Sequence, residues 1–352
     1  MNWLGHSATK KDAPSETAPP ISPLVSVIVC NYNYGQFLGR AIASALGQSY
    51  RSLEVIVVDD GSTDNSMEVI EEYHSRIRCL HTQHQGQAMA LWAGVKASRG
   101  DIICFLDSDD VWFPTKVEET VALFNKHERV VWTRHKLSVS DSDLRLLNAE
   151  VPQFSRSGHI APNPDLYLEK TVTTSTSALS VRRAAAERGF ARLEEVLKSS
   201  CGDGEADLYY HADAYLLILL GTSRVWGFSL DRVLGHYVRH RGQQFRGLNG
   251  VIPMLCRQIE VGRFISRIWS EEMGTRAIGS HVYKHRLIVE ALQANRRWSA
   301  GRVRILLAGL RTTSRLMRGS MELCVRQTGA MLFAYLAPRT WMRRLLTRQG
   351  YI

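Results

Sequence analysis

The sequence predicts an α/β fold: a mostly parallel sheet flanked by helices, followed by a helical C-terminal region. Three observations carry this expectation. Short runs rich in Val and Ile alternate with segments of helical periodicity across residues 24–106, the pattern of strands joined by crossover helices. Two of those runs end abruptly in carboxylates, at Asp59-Asp60 and at Asp107-Ser108-Asp109-Asp110. The carboxyl ends of strands in an open α/β sheet face the ligand crevice. The composition also fits, since 45% hydrophobic and 22% charged residues in 352 positions allow one sizeable core with an appendage.

Each element has its own local signal. Residues 25–30 form a β-branched run between Pro23 and the polar Asn31-Tyr32-Asn33-Tyr34-Gly35, and read as a first strand ending in a loop. Phe37, Leu38, Ala41, Ile42, Ala45 and Leu46 recur at helical spacing, and Gly47 marks the stop. A second strand at 53–58 ends in Asp59-Asp60-Gly61-Ser62-Thr63-Asp64, where ordinary turn and N-cap chemistry suffices for one of the two aspartates. A helix over 66–73, a short strand over 77–81 and a helix over 88–97 lead to the apolar strand 102–106. Further on, 176–181 reads as another strand.

The cluster Asp107, Asp109 and Asp110 crowds three like charges, which calls for a cation among them. A hard divalent ion with oxygen ligands is the simplest candidate, and such ions bring substrate phosphates with them. A solvated acidic turn is the plain alternative. Neither G-x-G-x-x-G nor G-x-x-x-x-G-K-[ST] occurs, so the usual phosphate cradles are missing. A nucleotide would instead be held by base and ribose contacts at the first two strand ends, with metal bridging its phosphates at the third.

Charge is uneven along the chain. Residues 281–352 carry one Lys and thirteen Arg against Glu290 and Glu322, a balance of +12 within a total of +10. A solvated Arg-rich helical face explains this most simply; contact of 282–352 with an anionic membrane comes next. No nucleic-acid module accompanies the charge, so nucleic acid is not expected as a partner. The six cysteines form no C-x-x-C pair, which suggests a reducing compartment. No run approaches the roughly 18–20 apolar residues of a membrane span, and residues 1–22 lack the apolar core of a signal peptide. The organisation expected is a flexible tail at 1–22, an α/β domain at 23–245 and a basic helical region at 250–352. A cytoplasmic location, with the basic region a candidate for the inner membrane face, suits this layout.

Three blocks carry a resemblance. Ser26-Val27-Ile28-Val29-Cys30-Asn31-Tyr32-Asn33, Val57-Val58-Asp59-Asp60-Gly61-Ser62-Thr63-Asp64 and Phe105-Leu106-Asp107-Ser108-Asp109-Asp110 resemble, in order and spacing, the family 2 glycosyltransferases. Leu46-Gly47-Gln48-Ser49-Tyr50 and Ala97-Ser98-Arg99-Gly100-Asp101 between them agree as well. The resemblance is clear over 24–115 and weaker to about 245. It implies the GT-A fold and an inverting, metal-dependent transfer from a nucleoside-diphosphate sugar, UDP- or dTDP-linked, to a saccharide or lipid-linked acceptor in surface polysaccharide or glycolipid synthesis. By that resemblance Tyr32 lies near the base, Asp60 hydrogen-bonds it and Asp59 is a neighbour. Asp107 and Asp109 end the D-x-D motif that holds Mg²⁺ or Mn²⁺, with Asp109 in direct contact. Asp110 would orient ribose or a metal-bound water, or else cap a helix. The general base that takes the acceptor's proton falls on Asp213, in His211-Ala212-Asp213-Ala214-Tyr215. Arg239 or His240, in Tyr237-Val238-Arg239-His240, would reach the diphosphate, or else serve structure. Trp92 stands where the family commonly has Asn, which implies a narrower or differently bonded donor pocket.

Two other readings compete. Asp107-Ser108-Asp109-Asp110-Val111, with Lys198 and Gly202-Asp203-Gly204-Glu205-Ala206-Asp207, mimics haloacid dehalogenase-like Mg-dependent phosphatases, in which Asp107 would be a phosphorylated nucleophile. That reading leaves the first two blocks without a role, and the segment before Gly202 is too polar for the strand it needs. The third reading keeps the GT-A scaffold without catalysis.

Overall fold

The computed structural model describes residues 22–147, 157–161, 175–199 and 225–240, with positions 287, 303–307, 310 and 344 besides. The chain runs β1 (Val25–Asn31), α1 (Gly35–Leu46), β2 (Leu53–Asp59), α2 (Ser66–Glu71), β3 (Arg78–His81), α3 (Gln87–Ala97) and β4 (Ile102–Asp107). It continues through β5 (Val111–Trp112), α4 (Lys116–Lys126), β6 (Val130–Ser140), β7 (Gly158–Ile160), β8 (Leu179–Arg182), α5 (Arg183–Ser199) and β9 (Trp226–Val238). Among the described residues these strands form one nine-stranded sheet in the order β3-β2-β1-β4-β8-β6-β9-β5, with β7 on β9.

The expected parallel unit is present. β3, β2, β1 and β4 pair in parallel, and beyond β4 the sheet becomes mixed because β8 inserts antiparallel between β4 and β6. Register matters most for function. Asn31 lies opposite Asp59, and Cys30 opposite Asp107, so the polar ends of β1, β2 and β4 stand level at one edge. The order reverses between β1 and β4, the switch point where such sheets bind ligands.

The near-continuous burial of β1, β2 and β4 follows from helices covering both faces. On one face Val27, Val29, Val57 and Leu106 pack with Leu38, Ile42, Val117 and Phe124 in the main core. On the other, Phe105 meets Phe190 of α5 edge-on at 6.2 Å. Trp92 belongs to this second layer, which corrects the expectation of a narrowed donor pocket. It is buried, stacks on Phe190 at 5.9 Å and donates through Nε1 to Glu194 at 2.7 Å. A large indole at this helical position is satisfied by α5 rather than by ligand.

The run expected as a strand over 176–181 opens with a 3₁₀ turn, Thr176–Ala178, before β8. Ser175 caps that turn through its side chain, so local Ser/Thr bonding outweighs strand propensity there. Buried thiols at Cys30 and Cys104 agree with their apolar runs. Residues 303–307 are helical, with Ile305 and Leu306 buried. The remainder of 250–352, apart from 287, 310 and 344, lies outside the described residues, as do 1–21. No helix among the described residues is long and apolar enough to cross a membrane.

Candidate active site

The end of β2 carries two buried aspartates with different tasks. Asp59 is clamped into its own turn: Ser62 donates to it from its amide at 3.1 Å and its hydroxyl at 2.5 Å, and Asn31 Nδ2 from β1 at 2.9 Å. Its Oδ2 also faces His81 Nδ1 at 3.1 Å. This is the turn chemistry expected of one of the pair. Asp60 reaches the next loop. Its Oδ1 accepts from Thr82 Oγ1 and the Gln85 amide, both at 3.0 Å, and its Oδ2 faces His84 Nδ1 at 3.0 Å and accepts from the Gly86 amide at 2.7 Å. Gly86 has φ +88°, a conformation glycine adopts without steric cost, and this bend launches α3. The His84 ring held in this way stacks on Tyr32, centroids 3.8 Å apart and planes within 15°. A half-buried aromatic face therefore stands at the end of β1 beside the Asp60 loop.

The D-x-D turn is built by partners distant in sequence. Asp107 Oδ1 accepts from Gln87 Nε2 at the start of α3, at 2.8 Å, and its amide donates to Ser177 Oγ at 3.0 Å. The Ser177 carbonyl accepts from Trp112 Nε1 at 2.8 Å, fastening β5 beneath the turn. Asp109 Oδ2 lies 3.1 Å from His240 Nε2. The His240 ring is buried against Phe37 at 4.2 Å and edge-on to Tyr34 at 5.3 Å. Asp110 neither caps a helix nor turns toward the crevice. The next element is β5, and Asp110 is 1% exposed, with Oδ1 accepting from the Val238 amide at 3.0 Å.

Burial, reinforced by the charges of Asp109 and Asp107, holds the Asp110 carboxyl well above the usual carboxylate range; the Ser177 hydroxyl and Val238 amide offset this only in part. Burial and the same three carboxylates push the Tyr237 hydroxyl up, and the neighbouring Arg239 charge opposes them. The Arg239 amide donates to the Ser140 carbonyl at 2.7 Å.

The structure thus brings Asp107, Asp109, Asp110, Tyr237 and His240 into one cluster, with Tyr32, Asp59 and Asp60 along the same sheet edge. Among the described residues no three His, Cys, Asp or Glu side chains converge as a metal cage. The pair Asp109 and His240 nevertheless fits a divalent ion. Two adjacent ligands at about 2.1 Å from an octahedral ion lie about 3.0 Å apart, close to the observed 3.1 Å. Diphosphate oxygens and water would complete such a shell. Asp213 lies outside the described residues, as does the Gly202–Asp207 segment. Sequence reasoning missed Gln87 and Ser177. Neither carries a motif signal, and only their partners reveal them.

Comparison with known proteins fits this geometry. Residues 26–189 match the family described as Glycosyl transferase family 2. An uncharacterised glycosyltransferase of Nostoc sp. is 36% identical over 171 residues, 47% of this chain and 53% of that protein. The Streptococcus pneumoniae glycosyltransferase GlyG is 40% identical over 95 residues, 26% of this chain and 32% of that protein. The chain therefore spans about half the length of the Nostoc protein and a third of GlyG. Among solved structures, Staphylococcus aureus TarS residues 1–349 with UDP-GlcNAc align over 93% of this chain and 92% of that one, at TM-score 0.56 and 17% identity. The same fragment with UDP aligns at 0.55. The fold is that of a GT-A glycosyltransferase, and residues 26–189 are similar to the family 2 glycosyltransferases.

Proposed function

We propose that this protein is an inverting glycosyltransferase, moving a sugar from a nucleoside-diphosphate sugar to an acceptor hydroxyl. The observation that carries the proposal is the convergence of Asp109 and His240 at the end of β4, level with the Tyr32 and Asp60 end of β1 and β2. The match of residues 26–189 to the family 2 glycosyltransferases supports this class of reaction, and the UDP and UDP-GlcNAc complexes of TarS favour a uridine donor.

Each residue has a role in this reading. Tyr32 offers its ring to the base. Asp60 shapes the loop 82–86 around that ring, since its own oxygens are engaged within the protein. Asp59 holds the turn. Asp109 and His240 would hold Mg²⁺ or Mn²⁺, with Asp107 orienting the turn from beside it. When bound, the cation neutralises charge that develops on the departing diphosphate. Arg239 stands beside the cluster to meet the same charge. Asp213 removes the acceptor's proton as the hydroxyl attacks the anomeric carbon. A saccharide or lipid-linked acceptor in surface polysaccharide or glycolipid synthesis fits this chemistry.

The test is nucleotide release from a panel of UDP-, dTDP- and GDP-sugars with Mn²⁺ or Mg²⁺. Slow release of UDP without acceptor is expected, abolished by EDTA. Asp213→Asn should bind donor as wild type does while losing transfer by about 10²–10⁴-fold. Unimpaired transfer by that variant would remove Asp213 from the base role. Release of inorganic phosphate from a phosphate monoester, with a phosphorylated Asp107, would support the phosphatase reading instead.

A further inference from the structure

We infer that Asp110 is a positioning residue that sets His240 against Asp109, acting through the end of β9. The inference rests on the donor-site reading above and adds to it the element that assembles the site. His240 follows the end of a strand more than a hundred residues downstream of the D-x-D turn, so something must dock that strand. The ladder with β6, paired as far as Ser140 opposite Val238, carries most of that docking, and three contacts secure its end beside the D-x-D turn. β5 pairs with β9 through Val111 opposite His236 and Trp112 opposite Gly235. The Arg239 amide bonds the Ser140 carbonyl of β6. The third contact is the only one of them made by a side chain of the acidic cluster: Asp110 Oδ1 to the Val238 amide, two residues before His240.

This contact is costly to keep. Asp110 is 1% exposed, in a turn that already holds two other carboxylates. A burden of that kind persists where the surrounding structure needs the group. If Asp110 served only to end β4, an exposed turn residue would do as well. Instead its side chain turns inward and grips the one strand end that brings an imidazole to Asp109. His240 is then steadied from the far side by Phe37 and Tyr34.

The experiment is a double-mutant cycle on the full chain, read by calorimetric titration of UDP in the presence of Mn²⁺. His240→Ala removes the group being positioned, and Asp110→Ala removes the group that positions it. Each single variant should weaken Mn²⁺-dependent UDP binding, Asp110→Ala by about 10-fold. The double variant should bind no more weakly than His240→Ala alone, because residues acting through one contact are not additive. Asp110→Asn, whose amide oxygen can still accept from Val238, should restore binding to within about 3-fold of wild type. Additive losses overturn the inference, as does an Asp110→Asn as weak as Asp110→Ala, which would point to charge rather than position. If Asp110→Ala fails to fold, the same cycle with Asp110→Ser keeps a buried polar atom too short to reach Val238. Wild-type protein that binds no UDP with Mn²⁺ would instead sink the donor-site reading itself, and this inference with it.

Discussion

A carboxylate offers about four lone-pair sites, and at Asp60 the protein supplies a partner for each: Thr82, Gln85, His84 and Gly86. Its role in donor binding is therefore exercised through the loop it shapes and the His84 ring it presents to Tyr32. The Asp60→Asn change replaces an acceptor with a donor facing other donors. It should lower stability by about 2–3 kcal/mol as well as weaken UDP binding, and urea unfolding beside calorimetric titration measures both. Loss of binding at unchanged stability would return Asp60 to direct contact with the base. At this scale the sequence marks where carboxylates cluster but not which way they face. Asp59, Asp60 and Asp110 are all nearly inaccessible, whereas Asp109 meets His240. Nothing in four consecutive letters separates these fates, because each is fixed by a partner from another strand or loop.

Among the elements, β1, β2 and β4 were legible because strands buried on both faces read as unbroken apolar runs. Their ends stand level at one edge, with α3 seated directly on the sheet. Gly94 permits that seat. A Cβ there would come 2.5 Å from Ile28 Cγ2 and 3.2 Å from Val58 Cγ2, so Gly94→Ala must lift α3 from β1 and β2. The expected cost is about 1–3 kcal/mol, partly offset by the better helix propensity of Ala, and thermal unfolding measures it. Because Gln87 at the start of α3 holds Asp107, the same variant should weaken Mn²⁺-dependent UDP binding. Full binding in the destabilised variant would show that Asp107 does not depend on the seat of α3. Less legible were β8 and the Thr176–Ala178 turn, whose Ser/Thr-rich letters satisfy several local structures equally well.

Taken whole, the molecule carries a buried polar layer beneath the site that couples its stability to pH. Lys116 is fully buried, donating to Ser180 Oγ at 3.0 Å and lying 3.8 Å over the Trp112 ring; burial lowers its pKa. His135 sits nearby, its Nδ1 2.9 Å from the Lys136 carbonyl. Burial and the Lys116 charge lower its pKa to about 3. A histidine kept neutral in the fold costs nothing above the unfolded value of about 6.5, but below it the unfolded chain gains a proton that the fold refuses. Stability from this group therefore falls as pH drops from about 6.5 toward 3, by about 1.4 kcal/mol per unit. Asp110, held above its ordinary range, works in the opposite sense, so the comparison must isolate His135. Urea unfolding at pH 7, 6 and 5 should show His135→Gln gaining on wild type by roughly that slope. A constant difference across the three values would mean that His135 takes up its proton in the folded protein as readily as in the unfolded chain.

The sequence by itself determined the alternating architecture, the carboxylate-ended strands and the family resemblance, because burial patterns and motif spacing are local properties written in consecutive residues. Only the tertiary structure decided that His240, rather than a third aspartate, meets Asp109, that Asp110 faces inward to β9, and that Trp92 is core. Those outcomes depend on which distant element arrives at a given strand end. The register of β5 on β9 and the insertion of β8 between β4 and β6 settle that in three dimensions.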